Sequence, residues 1–278
     1  MSIEIIDMTE PSANFSVRNS PVIDHVAIHC SSVQHTAEGI DANFDKPTFK
    51  ASSNYSVDRT GRKSLHIPED KRAWTTGGLD ANNEPIRVNG ISGSDIDHRA
   101  ITIEVASDGF HPYAITDAAY EGLIELLVDI CKRHPAIGRL RWKGDKSLVG
   151  QPDKQNIAVH RWFAYKACPG DYIYERLGAI ADEVNRRLDE RDNEPSKWKG
   201  AAEAVNWAKE TGIMKGDDKG NLRLRDNITR EEMCVMLHRF AGIVGAIHES
   251  PVNPSVAEGD SSLYTREPLN GTAGGEEV

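Results

Sequence analysis

What this 278-residue chain lacks already narrows its identity. No stretch approaches the ~18 uninterrupted apolar residues of a membrane-spanning helix, which sets membrane readings aside. Basic residues are outnumbered, 33 Lys plus Arg against 43 Asp plus Glu, for a formal net charge of −10. A dedicated nucleic-acid binder would carry a basic stripe instead. The opening ten residues hold Glu4, Asp7 and Glu10 but no Lys or Arg, so they lack the charged and apolar regions of a secretory leader. The four cysteines, at positions 30, 131, 168 and 234, show no paired spacing. In a reducing compartment such thiols serve as core residues, metal ligands or nucleophiles rather than as a disulfide framework. Hydrophobic residues make up only 38%, so part of the chain is expected outside any packed core.

What is present reads as an α/β domain over residues 15–190, with a mixed central β-sheet flanked by helices. Val22 to His29 forms a short apolar strand that ends in Cys30-Ser31-Ser32. Tyr55 to Asp58 and Gly61 to Ile67 read as a hairpin, and the β-branched run Ile101-Thr102-Ile103-Glu104-Val105 is the clearest strand. Thr116 can cap a helix with Leu123, Ile124, Leu127, Ile130 and Cys131 at helical spacing, stopping before Pro135. A second helix after Cys168-Pro169-Gly170 carries Ile173, Leu177, Ile180, Ala181, Val184 and Leu188 on one face. Gly138 to Trp142 fits either a strand or a loop. The polar stretch 79–98 reads as a long loop framing a groove, either in contact with what the groove binds or a passive insertion.

The charged stretch 191–197 reads as a linker. Residues 198–242 follow as a small helical module in which Thr229-Arg230-Glu231-Glu232 forms a capping box. Residues 243–278 read as a disordered acidic tail.

Three side chains carry the chemical signal. His29 ends the first strand, where open α/β sheets place their sites. His160 and Cys168 flank a short segment containing Lys166. Two imidazoles and a thiolate form a catalytic zinc set with an open fourth position, although strand histidines more often serve the core. Cys168 could also act as the nucleophile of a cysteine peptidase.

The residues Ile28-His29-Cys30-Ser31, Asn54-Tyr55-Ser56-Val57-Asp58, Ala73-Trp74, Ile101-Thr102-Ile103-Glu104 and His160-x5-Lys166-x-Cys168-Pro169-Gly170 resemble the zinc N-acetylmuramoyl-L-alanine amidases. That family shares its fold with peptidoglycan recognition proteins and occurs in phage endolysins. The resemblance implies Zn2+ held by His29, His160 and Cys168. It further implies Glu104 and Lys166 as catalytic groups with Tyr55 beside them, and Trp74 at the substrate groove. Asn54 and Thr75 stand where the family often has histidines. Residues 204–216, Asn221-Leu222 and Ile228 to Glu232 resemble a single S-layer homology unit. This implies binding of a secondary cell-wall polymer, with Arg230 at the groove; the alternative is a helical stub through which the chain forms a homo-oligomer.

The expected function is hydrolysis of the bond between N-acetylmuramic acid and L-alanine in peptidoglycan. The expected setting is a phage or prophage endolysin, made in the host cytoplasm without a signal peptide and acting on the wall after release. Rival readings are a non-catalytic peptidoglycan-binding protein and a cytosolic recycling amidase.

Overall fold

A computed structural model describes residues 3–9, 13–217, 220–224 and 228–248. The described residues fall into two compact units, one within 3–195 and 216–224, the other within 196–215 and 228–248.

The first unit begins with β1 (Ile6–Asp7), β2 (Phe15–Val17) and β3 (His25–Cys30), followed by helix α1 (Ala37–Phe44). Next come β4 (Tyr55–Val57), β5 (Lys63–Leu65), β6 (Lys71–Ala73), β7 (Arg87–Val88), β8 (Ile91–Ser92) and the short helix α2 (Gly93–Asp97). β9 (Ala100–Val105), α3 (Asp117–Arg133), β10 (Ile157–Val159), α4 (Gly170–Tyr174) and α5 (Leu177–Asn193) complete it. Six strands make one mixed sheet in the order β1-β5-β4-β9-β3-β10. All its pairings are parallel except the β4–β5 hairpin. The mixed sheet with flanking helices is the architecture that the sequence pattern predicts.

The centre of the sheet follows from composition. β-branched residues fit a pleated surface, and a strand covered on both faces carries a near-continuous apolar run. Ile101, Ile103 and Val105 on β9 are fully buried, as are Val26 and Ile28 on β3. Helix α3 covers one face with Leu123, Ile124, Leu127 and Ile130, and the hydroxyl of its cap Thr116 accepts from the Ala119 N–H at 3.0 Å. Lys132 and Arg133 complement the dipole in its last turn, and the helix stops before Pro135.

Several boundaries differ from the sequence reading. β1 lies before residue 15 yet pairs with β5, so the sheet begins earlier. The single helix expected after Gly170 is two, α4 and α5, and α5 runs to Asn193, into the stretch read as a linker. Gly138 to Trp142 forms no regular element. Residues 79–98 are not a bare loop, because they hold the β7–β8 ribbon and α2. None of the helices among the described residues is long and apolar enough to cross a membrane.

The second unit contains α6 (Ala201–Glu210) and α7 (Arg230–His248). Ala201, Ala208 and Ile213 are buried, and the Trp207 and Phe240 rings meet at 6.5 Å. The capping box forms as its sequence predicts: the Thr229 N–H donates to the Glu232 carboxylate at 2.8 Å, and the Glu232 N–H returns to the Thr229 hydroxyl at 3.1 Å. Arg230 is exposed. Because α7 continues to His248, the first residues read as tail are helical, while the rest of 243–278 lies outside the described residues.

Candidate active site

Alternation along strands decides which side chains can meet, since residues paired in register share a face. His29 pairs with Glu104, Glu104 with Ser56, and Ser56 with Ser64, giving one row across four strands. β10 runs parallel to β3 with Val159 opposite Ile28, so His160, the next residue, extends the row beside His29. The His29 and His160 rings stand edge to face with centroids 5.2 Å apart.

Cys168 reaches this pair from the loop before α4. Its Sγ lies 3.4 Å from His29 Nδ1, and one ligand atom from each of His29, His160 and Cys168 falls within 4.8 Å of the others. The loop is held at both ends. Arg161 donates to the Ala167 carbonyl and pairs with Asp171 at 2.9 Å, and the Arg161 N–H donates to the Cys168 carbonyl at 3.0 Å. Gly170 permits the loop's approach to its neighbour: its φ is +80°, and a Cβ there would stand 2.5 Å from that of Tyr113.

A cleft of about 410 Å3 opens over the cluster. His29, Glu104, His160, Lys166 and Cys168 line it together, with Trp74 and Phe44 on its walls. Trp74 is held by hydrogen bonds to two serines, its N–H on Ser52 and its indole on Ser16.

The electrostatics fit a cation-binding centre. Burial, then His160 and Lys166, push the His29 imidazolium well below the usual histidine range. Burial and Lys166 bring His160 down to about 4, against a hydrogen bond with the Gly77 backbone. Both imidazoles are therefore neutral, the form that ligates a metal. His160 Nε2 is buried with no hydrogen-bond partner among the described residues. A soft thiol between two neutral imidazoles is a zinc-type donor set, so the residues present fit that ion. Burial and the adjacent Cys30 hold the Cys168 thiol well above its ordinary range. Glu104 is pushed up to about 8 by burial and Cys30, with Lys166 opposing.

Tyr55 is a correction. It pairs with Ile103, on the face opposite Glu104, and is absent from the cleft lining. Its hydroxyl donates to Glu69 at 2.8 Å, beside Arg133 and His134 from the end of α3. The segment 79–98 does not line the cleft either. Between the ligands, Trp162 packs beneath the site against Trp142, whereas Tyr165 is 84% exposed.

Two features escaped the sequence reading. Helix α1, capped by Thr36, lends Ile40, Asn43 and Phe44 to the cleft wall. Its Asp41 accepts from His66 at 2.8 Å, and His66 meets the Ser56 hydroxyl at 2.8 Å. This is the order of a nucleophilic triad, but Ser56 is fully buried and no substrate reaches it. Its role here is to tie α1 to the sheet.

Comparison with known proteins identifies the family. The N-acetylmuramoyl-L-alanine amidase family matches residues 18–171, more than half of the chain, and the S-layer homology domain matches residues 193–234. Among curated proteins there is no match. Solved structures with a similar course include a selenomethionine derivative of AmpD, at 22% identity and TM-score 0.46 over 65% of this chain and 96% of that one. PlyL aligns at 14% identity and TM-score 0.42 over 66% and 97%. The Ph2119 endolysin from a Thermus scotoductus MAT2119 bacteriophage aligns at 15% and 0.41 over 65% and 99%. This chain belongs to the N-acetylmuramoyl-L-alanine amidase family and carries an S-layer homology domain later in its sequence.

Proposed function

We propose that this peptidoglycan amidase is zinc-dependent, with His29, His160 and Cys168 as the ligands and Glu104 and Lys166 as the catalytic side chains. The observation that carries the reading is the convergence of those five residues on one cleft. Zinc held there supplies Lewis acidity toward a carbonyl oxygen and toward water.

The chain's own groups divide the remaining work. Glu104 lines the cleft with the three ligands and stands opposite His29 in register, where a carboxylate can take a proton and return it. It accepts the proton of the attacking water and delivers one to the departing L-alanine nitrogen. Lys166 places an ammonium in the same cleft, where it opposes the negative charge that develops on the scissile carbonyl oxygen. Trp74 offers an aromatic wall to the glycan or peptide. The products are a lactyl carboxylate on the muramic acid and a free amino group on L-alanine.

The S-layer homology domain concentrates the enzyme on the wall by binding an anionic secondary polymer, with exposed Arg230 as a fork donor to carboxylate or phosphate. One such unit binds weakly alone, so assembly of several chains would add avidity. This pairing of amidase and wall-binding domain suits a lytic enzyme of phage or prophage origin acting on the wall after release from the host cytoplasm.

The test is mass spectrometry of products from defined muropeptides, with and without chelation. New L-alanine amino termini, no new reducing ends, loss of turnover on chelation and recovery with zinc support the proposal. Binding without cleavage by zinc-loaded protein would favour the non-catalytic alternative, and turnover that survives chelation would overturn the zinc reading.

A further inference from the structure

His29 uses both ring nitrogens, and the second leads away from the cleft into a polar anchor that the amidase chemistry does not invoke. Nδ1 faces Cys168, while Nε2 lies 3.3 Å from the hydroxyl of Thr76. Thr76 is fully buried and does not line the cleft. Its backbone N–H donates to both oxygens of the Asp97 carboxylate, at 3.2 and 3.1 Å. Thr75 adds its own N–H at 3.1 Å and its hydroxyl at 3.0 Å. Asp97 is itself 98% buried (2% exposed) at the end of α2. A buried carboxylate with three donors, in four contacts, from two consecutive residues fixes the backbone that carries the Thr76 hydroxyl. The approach is close because Gly93, at the start of α2, lets the Thr76 carbonyl sit where a Cβ would stand only 2.1 Å away.

We propose that Thr76, held by Asp97, is a positioning residue for the metal centre: its hydroxyl accepts the Nε2 proton of His29 and so presents the Nδ1 lone pair toward Cys168 and the cation. This rests on the zinc reading given above. A ligating imidazole generally donates its other N–H to a fixed acceptor, which sets tautomer and ring angle, and loss of such a partner costs roughly 10- to 100-fold in metal affinity. It also assigns a task to residues 79–98, where Asp97 at the end of α2 anchors the segment that meets His29.

The experiment compares wild type, Thr76→Val, Thr76→Ser and Asp97→Asn by zinc competition against a chromogenic chelator. Imidazole 15N–1H spectra of the metal-free wild type accompany it. Thr76→Val keeps the volume and removes the acceptor, and is expected to weaken zinc about 10- to 100-fold. Thr76→Ser should restore affinity to within about threefold of wild type, on the same scale of second-partner effects. Asp97→Asn should fall with Thr76→Val, because an amide replaces an acceptor-only carboxylate. His29 in the metal-free protein should appear as the Nε2–H tautomer, a readout that needs no variant to fold. Zinc affinity of Thr76→Val equal to wild type, a serine variant as weak as the valine, or an Nδ1–H tautomer would overturn the inference and leave the zinc reading standing. Wild-type protein that takes up no zinc would overturn both.

Discussion

The two faces of the central sheet are built from the same strands and alternate residue by residue, yet they do opposite things. On one face, Ser64, Ser56, Glu104 and His29 form a polar row that runs into His160 and opens on the cleft. On the other, Val57, Ile103, Val105 and Ile28 close a dry core against α3, and Tyr55 sits at its edge, tied to Glu69 and Arg133. The lesson is how sharply register assigns chemistry. With a side-chain period of two, a shift of one residue moves a group from the reacting face to the packed one. Ser56 and Tyr55 are neighbours in sequence and lie on opposite sides of that divide.

The strongest way to break this comparison is to disable the polar face while leaving the packed one alone. Cys168→Ser removes the soft donor, and turnover of defined muropeptides is expected to fall about a thousand-fold or more, several kcal/mol of lost transition-state stabilisation. Zinc content measured by mass spectrometry should drop with it, and the thermal midpoint should show whether the core survives. Normal turnover in this variant would mean that Cys168 is no ligand. Glu104→Gln comes next, at about 10²- to 10⁴-fold in kcat with zinc content unchanged, because only a proton carrier has been lost. If zinc is lost in parallel, Glu104 supports the ligands rather than the reaction.

Much of this division was legible in the residues. The β-branched run at 101–105 and the capped periodicity of 116–133 announced a central strand and the helix that covers it. Family resemblance then picked His29, Glu104, His160, Lys166 and Cys168 from many candidates. The face of Tyr55 was also readable, since strand parity separates it from Ser56, but resemblance to a motif carries no parity. Other features depend on partners far away in sequence. β1 is two residues long and exists only because β5 is beside it, nearly 60 positions on (Ile6 opposite Ser64). Asp97 meets Thr75 and Thr76 across 22 and 21 positions, and composition in 79–98 signals only polarity. Periodicity on α7 likewise marks an apolar stripe without saying what covers it, and Leu237 there is 60% exposed.

The packed face predicts smaller effects, of stability rather than turnover. Burial would raise the Glu69 carboxyl, but hydrogen bonds from His134, Arg133 and Tyr55 prevail and hold it at about 2, against an ordinary 4.5. A depressed carboxyl contributes stability that is complete above about pH 4.5 and is lost as pH falls toward 2, on the order of 3 kcal/mol. Glu69→Gln should therefore be less stable than wild type at pH 7, with the gap closing on acidification in urea-unfolding series. A constant gap from pH 7 to pH 3 would show that Glu69 is not the group titrating.

Tyr55→Phe is the smallest and the most discriminating change. It keeps the ring in the core and deletes only the hydroxyl, so the expected cost is about 1 kcal/mol of stability, one neutral-to-charged hydrogen bond exchanged for solvation of a half-buried Glu69. Because that hydroxyl points away from the cleft, kcat/KM on muropeptides should stay within about twofold of wild type, less than a single transition-state contact would cost. A tenfold fall in kcat with stability unchanged would place the hydroxyl at the reacting carbonyl after all. The register that sets Tyr55 opposite Ile103 could not then hold during turnover, and the two faces would not be independent.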